Sequence, residues 1–267
     1  MRKKLTIAGL TGLLLVLAIP LVAFAGTEPF SASGSLDQTG AGTGGVAAGY
    51  VSAQDAQNDA PDIAQAFFDG IYGSTPVDQN TDGFQTLDQP FDGQLFESNW
   101  KALDDADMVV SQNSWFTADP DTGEVVGVAW GTFDITKGSG NELAGEYAAF
   151  ITGTVAESFY FGVDCPDSGL FVRVEDEGIW EVDETSVSGA YEKLGPLGML
   201  GDFSARAAGC LGHERAIVTI NGERVDGKSG DSRHSDHNDH NDRGDRGDRN
   251  DRNDRNDDGD HDGRDND

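Results

Sequence analysis

The alternation of apolar and polar positions is clearest over residues 123–155. Phe133 and Ile135 alternate with Thr132, Asp134 and Thr136, the two-residue period of a half-buried strand. Further apolar and β-branched runs cover 125–130 and 147–155. Lys137-Gly138-Ser139-Gly140-Asn141 separates the last two runs, as a Gly-rich hairpin connection does. A weaker copy follows. Gly131-x-Phe133-Asp134 returns as Gly189-x-Tyr191-Glu192, and residues 143–149 return as 199–205. The spacing therefore predicts two antiparallel hairpins, over 131–150 and 189–206, with Phe133, Tyr147, Tyr191 and Phe203 facing inward.

The remaining pattern is read in chain order. Phe30 to Leu36 is a candidate first strand. Ala60, Ile63, Ala64, Phe67, Phe68 and Ile71 fall at helical spacing, with Asp59 as N-cap and Pro61 just inside. This predicts one short amphipathic helix within 54–72, its apolar stripe plugging the end of a sheet or barrel. Residues 84–115 read as loops and one or two strands, the best over 107–115. Ala118-Asp119-Pro120-Asp121-Thr122-Gly123 is a turn. Strands are expected over 158–163, 170–175, 179–182, 185–187 and 216–220, the last turned back by Asn221-Gly222. About nine to eleven strands with one short helix define an all-β chain, an antiparallel barrel or sandwich.

Composition divides the chain into three zones. Residues 1–25 have basic Arg2, Lys3 and Lys4, an apolar run, and Ala23-Phe24-Ala25 at the end, the form of a secretory signal peptide cleaved before Gly26. An uncleaved membrane anchor is the rival reading, weakened by Gly9, Gly12 and Pro20. Residues 26–227 form the all-β domain, and 228–267 form a low-complexity tail of Asp, Asn, Arg, Gly and His. The tail has no side chain able to join a core, so it is expected to be disordered. The domain carries 34 acidic against 7 basic residues, a net charge of −27. Such a surface repels nucleic acid and anionic membrane, which excludes both as partners, and no membrane insertion is expected once the signal is removed. In an exported chain the pair Cys165 and Cys210 is expected to form a disulfide bond.

Three groups of residues have metal-ligand spacing. Asp78-Gln-Asn80-Thr-Asp82-Gly83 matches the first half of a calcium-binding loop, with Asp88 one place before the position where Glu should stand. Asp254, Asn256 and Asp258 repeat the pattern in the tail. His234, His237 and His240 recur every third residue, a spacing that can chelate Zn²⁺, Ni²⁺ or Cu²⁺. Ca²⁺ is the one cofactor the pattern suggests. No nucleophile elbow, metalloprotease helix or phosphate-cradling loop occurs, and no catalytic residue can be named.

Gly131-x-Phe133-x-Ile135-x-x-Gly138-Ser139-Gly140-x-x-Leu143-Ala144-Gly145 resembles a run in secreted bacterial β-barrel proteins of the allene oxide cyclase and dirigent-like type. Lys137 stands where that run has Gly, and Asn141-Glu142 replaces its basic residue. The resemblance implies a small barrel and transfers no catalytic residue. The resulting expectation is a secreted or cell-surface, non-enzymatic binding or structural protein with an acidic, calcium-attracting surface and an extracellular ligand. An isomerase- or cyclase-like barrel enzyme is the first alternative, and it requires an apolar pocket holding a few polar groups. A carbohydrate-binding module is the second, and it requires two or more of Trp100, Trp115, Trp130 and Trp180 to be coplanar and exposed.

Overall fold

The structure is a computed structural model that describes residues 27–39, 48–74, 77–194 and 199–225. The expected signal segment, the tail and the tail's candidate ligands Asp254, Asn256, Asp258, His234, His237 and His240 lie outside the described residues. Nine strands follow in order: β1 (Thr27–Gln38), β2 (Ala48–Ser52), β3 (Asp82–Ser98), β4 (Ala106–Ala118), β5 (Glu124–Thr136), β6 (Glu142–Glu157), β7 (Leu170–Ser188), β8 (Met199–Cys210) and β9 (His213–Val225). Each pairs antiparallel with its chain neighbour from β3 to β9, while β1 pairs with both β9 and β3. The result is a closed eight-stranded antiparallel barrel, so no sheet edge of the ring is left unpaired. β2 lies outside the ring and continues the line of β1 along the same edge of β3, Ser52 opposite Asp82 and Ala48 opposite Thr86.

The alternation decides which side chains enter the ring. On β5 the odd positions Val125, Phe133 and Ile135 face the lumen, while Val128 and Trp130 face outward. On β4 the lumen receives Met108, Val110, Gln112 and Ser114, and Trp115 points out. Two helices, α1 (Ala53–Asp59) and α2 (Asp62–Ile71), cover the outward apolar patch. Ser52 caps α1 by accepting from the Asp55 N–H at 3.1 Å. The stripe Ala64, Phe67, Phe68 and Ile71 on α2 packs against Trp115, Val128, Trp130 and Ala148. The expected single helix is thus two, and its stripe seals the outer wall. Three adjacent strands carry outward apolar side chains, and only a covering layer removes them from water.

One end of the ring is closed from inside. Phe30, Trp100, Leu103, Tyr191, Leu194 and Trp180 belong to one buried cluster there. Trp100 stacks edge-on to Tyr191 at 5.6 Å, and the Tyr191 hydroxyl donates to the Ala102 carbonyl at 2.6 Å. Arg224 lies over the Trp100 ring and pairs with Glu28 behind it.

The structure corrects several sequence expectations. The first hairpin is present as β5 and β6, with Glu124 opposite Thr154 and Thr136 opposite Glu142. The second is not a hairpin: Gly189–Leu194 is a 3₁₀ turn that delivers Tyr191 to the closed end, and only Met199 onward is strand. Asn221-Gly222 makes no turn and continues β9. A Cβ at Gly222 would come 2.7 Å from the Phe30 ring and 2.8 Å from Trp180, so the glycine makes room for rings. Asn221 instead donates from Nδ2 to Asp202 Oδ1 at 2.8 Å. The apolar residues of 158–163 belong to a 3₁₀ turn, Ser158–Phe161, and Phe159 and Tyr160 are exposed on it. Residues 170–187 are one strand where three were expected.

Candidate functional site in the barrel lumen

Beyond the plug the lumen holds a cavity of about 100 Å³. Its walls are mostly aliphatic and aromatic, with Phe91, Val110, Phe133, Ile151, Trp180 and Phe203 among them. It extends to Val125, Val172 and Leu211, at the end of the ring opposite the plug. Its apolar lining, interrupted by a few polar groups, suits a small organic molecule.

A few polar groups interrupt the apolar wall, and each is placed by strand phase. On β7 the inward series is Val172, Val174, Asp176, Gly178, Trp180 and Val182, so an aspartate stands where the pattern calls for a hydrophobe. Asp176 is 7 % exposed and lines the cavity, between Ile151 of β6 and Ala205 of β8. Its Oδ1 has no hydrogen-bond partner. Burial without compensation pushes its carboxyl from the ordinary 3.8 up to about 7. Tyr147, inward on β6, donates its hydroxyl to Gln112 Oε1 of β4 at 3.1 Å. Its pKa is pushed up, mainly by burial and secondly by the charge of Asp176, which places the phenol within electrostatic reach of the carboxylate.

A second polar group is created by a bulge. The β3–β4 register shifts between Thr86 and Gln89, with Asp88 at φ 52° and its N–H donating to Asn113 Oδ1 at 3.0 Å. The shift lets both Thr86 and Gln89 face inward. Thr86 donates to Gln89 Oε1 at 2.7 Å and its hydroxyl lies 2.6 Å from that of Ser114. Nearer the β8–β9 turn, Glu214 accepts from the Gly212 N–H with both carboxylate oxygens at 3.2 Å, and burial raises its pKa. Among the described residues the lining therefore contains two acids and no Lys, Arg or His.

Asp78, Asn80, Asp82 and Asp88 are not part of this lining. Asp78 closes a turn of its own: its Oδ1 accepts from the Asn80 N–H at 2.8 Å and from the Thr81 hydroxyl at 3.3 Å. Asp82 opens β3, and Asp88 lies at the bulge beyond it. Among the described residues no group of three His, Cys, Asp or Glu side chains is placed to hold a metal ion. The four tryptophans are all buried: Trp115 and Trp130 under α2, Trp180 in the lumen wall and Trp100 in the plug. The exposed coplanar platform that a carbohydrate-binding module requires is not formed by them.

Cys165 and Cys210 form a disulfide, Cα atoms 5.4 Å apart, which ties the β6–β7 connection to the end of β8 beside the mouth. Among the described residues no helix is long and apolar enough to cross a membrane. Comparison with protein-family models, curated proteins and solved structures gives no match for this chain.

The expectations singled out none of the lumen acids. Tyr147 was expected to face inward, and it does. Asp176, Gln112, Gln89 and Glu214 were missed. The readable signal for Asp176 was its phase, in step with Val172, Val174 and Trp180.

Proposed function

We propose that this chain is a secreted, non-enzymatic binding protein whose barrel lumen holds a small, largely apolar molecule. The observation that carries this reading is the one-ended apolar cavity with an unpartnered carboxyl in its wall. A buried polar atom without a partner is destabilising unless a ligand supplies one. The disulfide and the basic-then-apolar start of the sequence support export. The test is titration with Nile red, an uncharged dye whose emission shifts to the blue in apolar surroundings. Saturable, blue-shifted emission is expected with wild-type protein and not with Ala205→Trp, which fills the lumen beside Asp176. A wild-type protein that leaves the dye in water, or a variant that takes it up equally, refutes the reading.

A second reading, proton-transfer catalysis of the isomerase or cyclase kind, is favoured by one observation. Asp176 titrates near neutrality inside an apolar site, the range suited to a general acid or base. Tyr147 would then position a substrate oxygen by its hydroxyl. Transfer of solvent deuterium into a C–H position of a bound ligand, abolished by Asp176→Asn, separates catalysis from binding.

A further inference from the structure

Granted that the lumen holds a small apolar molecule, we infer that its ligand is an organic ammonium, an apolar amine whose charged nitrogen pairs with Asp176 among the lumen aromatics. This rests on charge, geometry and the rings.

Among the described residues the lumen acids are Asp176 and Glu214, and no basic side chain lines the cavity. A ligand carboxylate or phosphate would meet like charge and find no cation to pair with, so fatty acids and other anions are excluded. Arg224 belongs to the plug and is paired with Glu28, while Arg206 and Arg215 pair with Glu175 and Asp37. Glu214 already accepts two backbone contacts from Gly212, whereas Asp176 Oδ1 has none. The open acceptor is thus at Asp176. A neutral donor would satisfy one lone pair, but only a cation would also offset the charge of a buried carboxylate.

The surroundings complete the fit. Of the six aromatic side chains that line the lumen, four form two edge-on pairs, Phe133 with Trp180 at 5.9 Å and Tyr147 with Phe203 at 5.2 Å. The Trp180 indole N–H already donates to the Asp202 and Asn221 carbonyls, at 3.2 and 3.0 Å, so its π face is what it can offer inward. Aromatic faces with a carboxylate nearby are the recognition chemistry of ammonium groups. Gly178, opposite Phe203 and between Asp176 and Trp180, adds no side chain between carboxylate and ring. The net charge of −30 raises the local concentration of cations around the protein.

The pairing makes binding depend on pH in a stated direction. Among the described residues the titratable groups facing the lumen are Asp176 on β7, Tyr147 on β6 and Glu214 on β9, and the other lining residues carry no charge. Below about 7 the Asp176 carboxyl is protonated and must release its proton to pair. Affinity for an ammonium should then fall about tenfold per pH unit from 7 to 5, and level off above 7 until the amine itself deprotonates.

The experiment uses calorimetry on the oxidised full chain with three probes of one shape: 1-naphthylmethylamine, 1-naphthylmethanol and 1-naphthoate. The amine should bind tightest at pH 7.5, the alcohol about 10- to 100-fold weaker, and the carboxylate not measurably. Asp176→Asn should weaken the amine by a similar factor and leave the alcohol within about twofold. Non-specific attraction to the acidic surface is distinguished by its loss in 0.5 M NaCl and its indifference to Asp176→Asn, and a signal of that kind alone overturns the inference. Equal affinity for amine and alcohol, or binding of naphthoate, also overturns it and leaves the lumen reading standing. Failure of all three probes while Nile red still enters has the same meaning. Failure of Nile red as well removes the lumen reading, and the inference with it.

Discussion

Asp176→Asn should make the protein more stable, by an amount that grows with pH. In the folded chain the carboxyl holds its proton up to about 7, against an ordinary 3.8. Between those values the unfolded chain is ionised at this position and the folded chain is not. The native state therefore binds more protons, and the wild-type stability attributable to Asp176 falls as pH rises through the window. Below about 4 both states are protonated and there is no penalty. Above about 7 both are ionised and the penalty is constant. The separation is roughly three pH units at 1.36 kcal/mol each, a total on the order of 4 kcal/mol. Asparagine has the same shape and no charge, so it lacks this dependence. Urea melts of wild type and variant from pH 4 to 8.5 measure it, and subtraction cancels the many other acids, Glu214 included. The difference should climb across pH 4–7 by up to roughly 4 kcal/mol and then flatten. A flat difference across the whole range would mean that Asp176 is hydrated and ionised in the lumen, and the account of a dry unpartnered carboxyl would be wrong.

Reduction of Cys165–Cys210 should lower stability by about 4 kcal/mol on the loop-entropy estimate for a separation of 45 residues, read from melts with and without reductant. Intact mass after alkylation of unreduced protein should show no free thiol. Phe68→Ala, beneath the outer wall and touching Trp115 and Trp130, should cost about 3–5 kcal/mol in a urea melt. A loss under 1 kcal/mol would show that α2 does not cover that wall. Gly222→Val should destabilise by placing a side chain against Phe30 and Trp180, and a melt unchanged from wild type would refute the packing role given to that glycine. Calcium should raise the melting temperature no more than ionic-strength-matched NaCl, because Asp78 already accepts from its own turn. A calcium-specific rise lost in Asp82→Ala would establish the loop as a binding site.

The fold class was legible because its strongest strands keep a strict two-residue period, as at Phe133 and Ile135, with a Gly-rich tip between β5 and β6. Where the period breaks, the reading broke too. The bulge after Thr86 changes phase within β3, so the first half of a 17-residue strand resembled loop. Asp176, Glu177 and Gly178 interrupted the apolar run of β7 and split it on paper into shorter strands. That interruption is the site itself: a polar residue in an inward position looks like a strand end until neighbouring strands fix its phase. Asn221-Gly222 carried a local turn signal that β1 and β8 overrode by pairing with it on both sides. Whether Phe67 and Phe68 plug an end or cover a wall depends on the outward faces of β4–β6, which no local pattern reveals.

β1 is hydrogen-bonded to β3, reachable early, and also to β9, whose partner residues Arg215–Val225 are the last of the barrel to leave the ribosome. Until then β8 and the far edge of β1 are open, and the apolar interior faces water as the concave side of a curled sheet. Completion of the ring is therefore a single late event across nearly the whole chain, a slow step by its contact separation and an aggregation hazard while it waits. Any shortening of the chain ahead of His213 yields an open sheet in place of a smaller barrel. The pairing of Thr27 with Val225 has a converse. Those two ends lie side by side, so a short bridge between them, with new ends cut at the exposed 137–141 turn, should give a permuted chain whose closing strands are neighbours in synthesis and whose ring forms sooner.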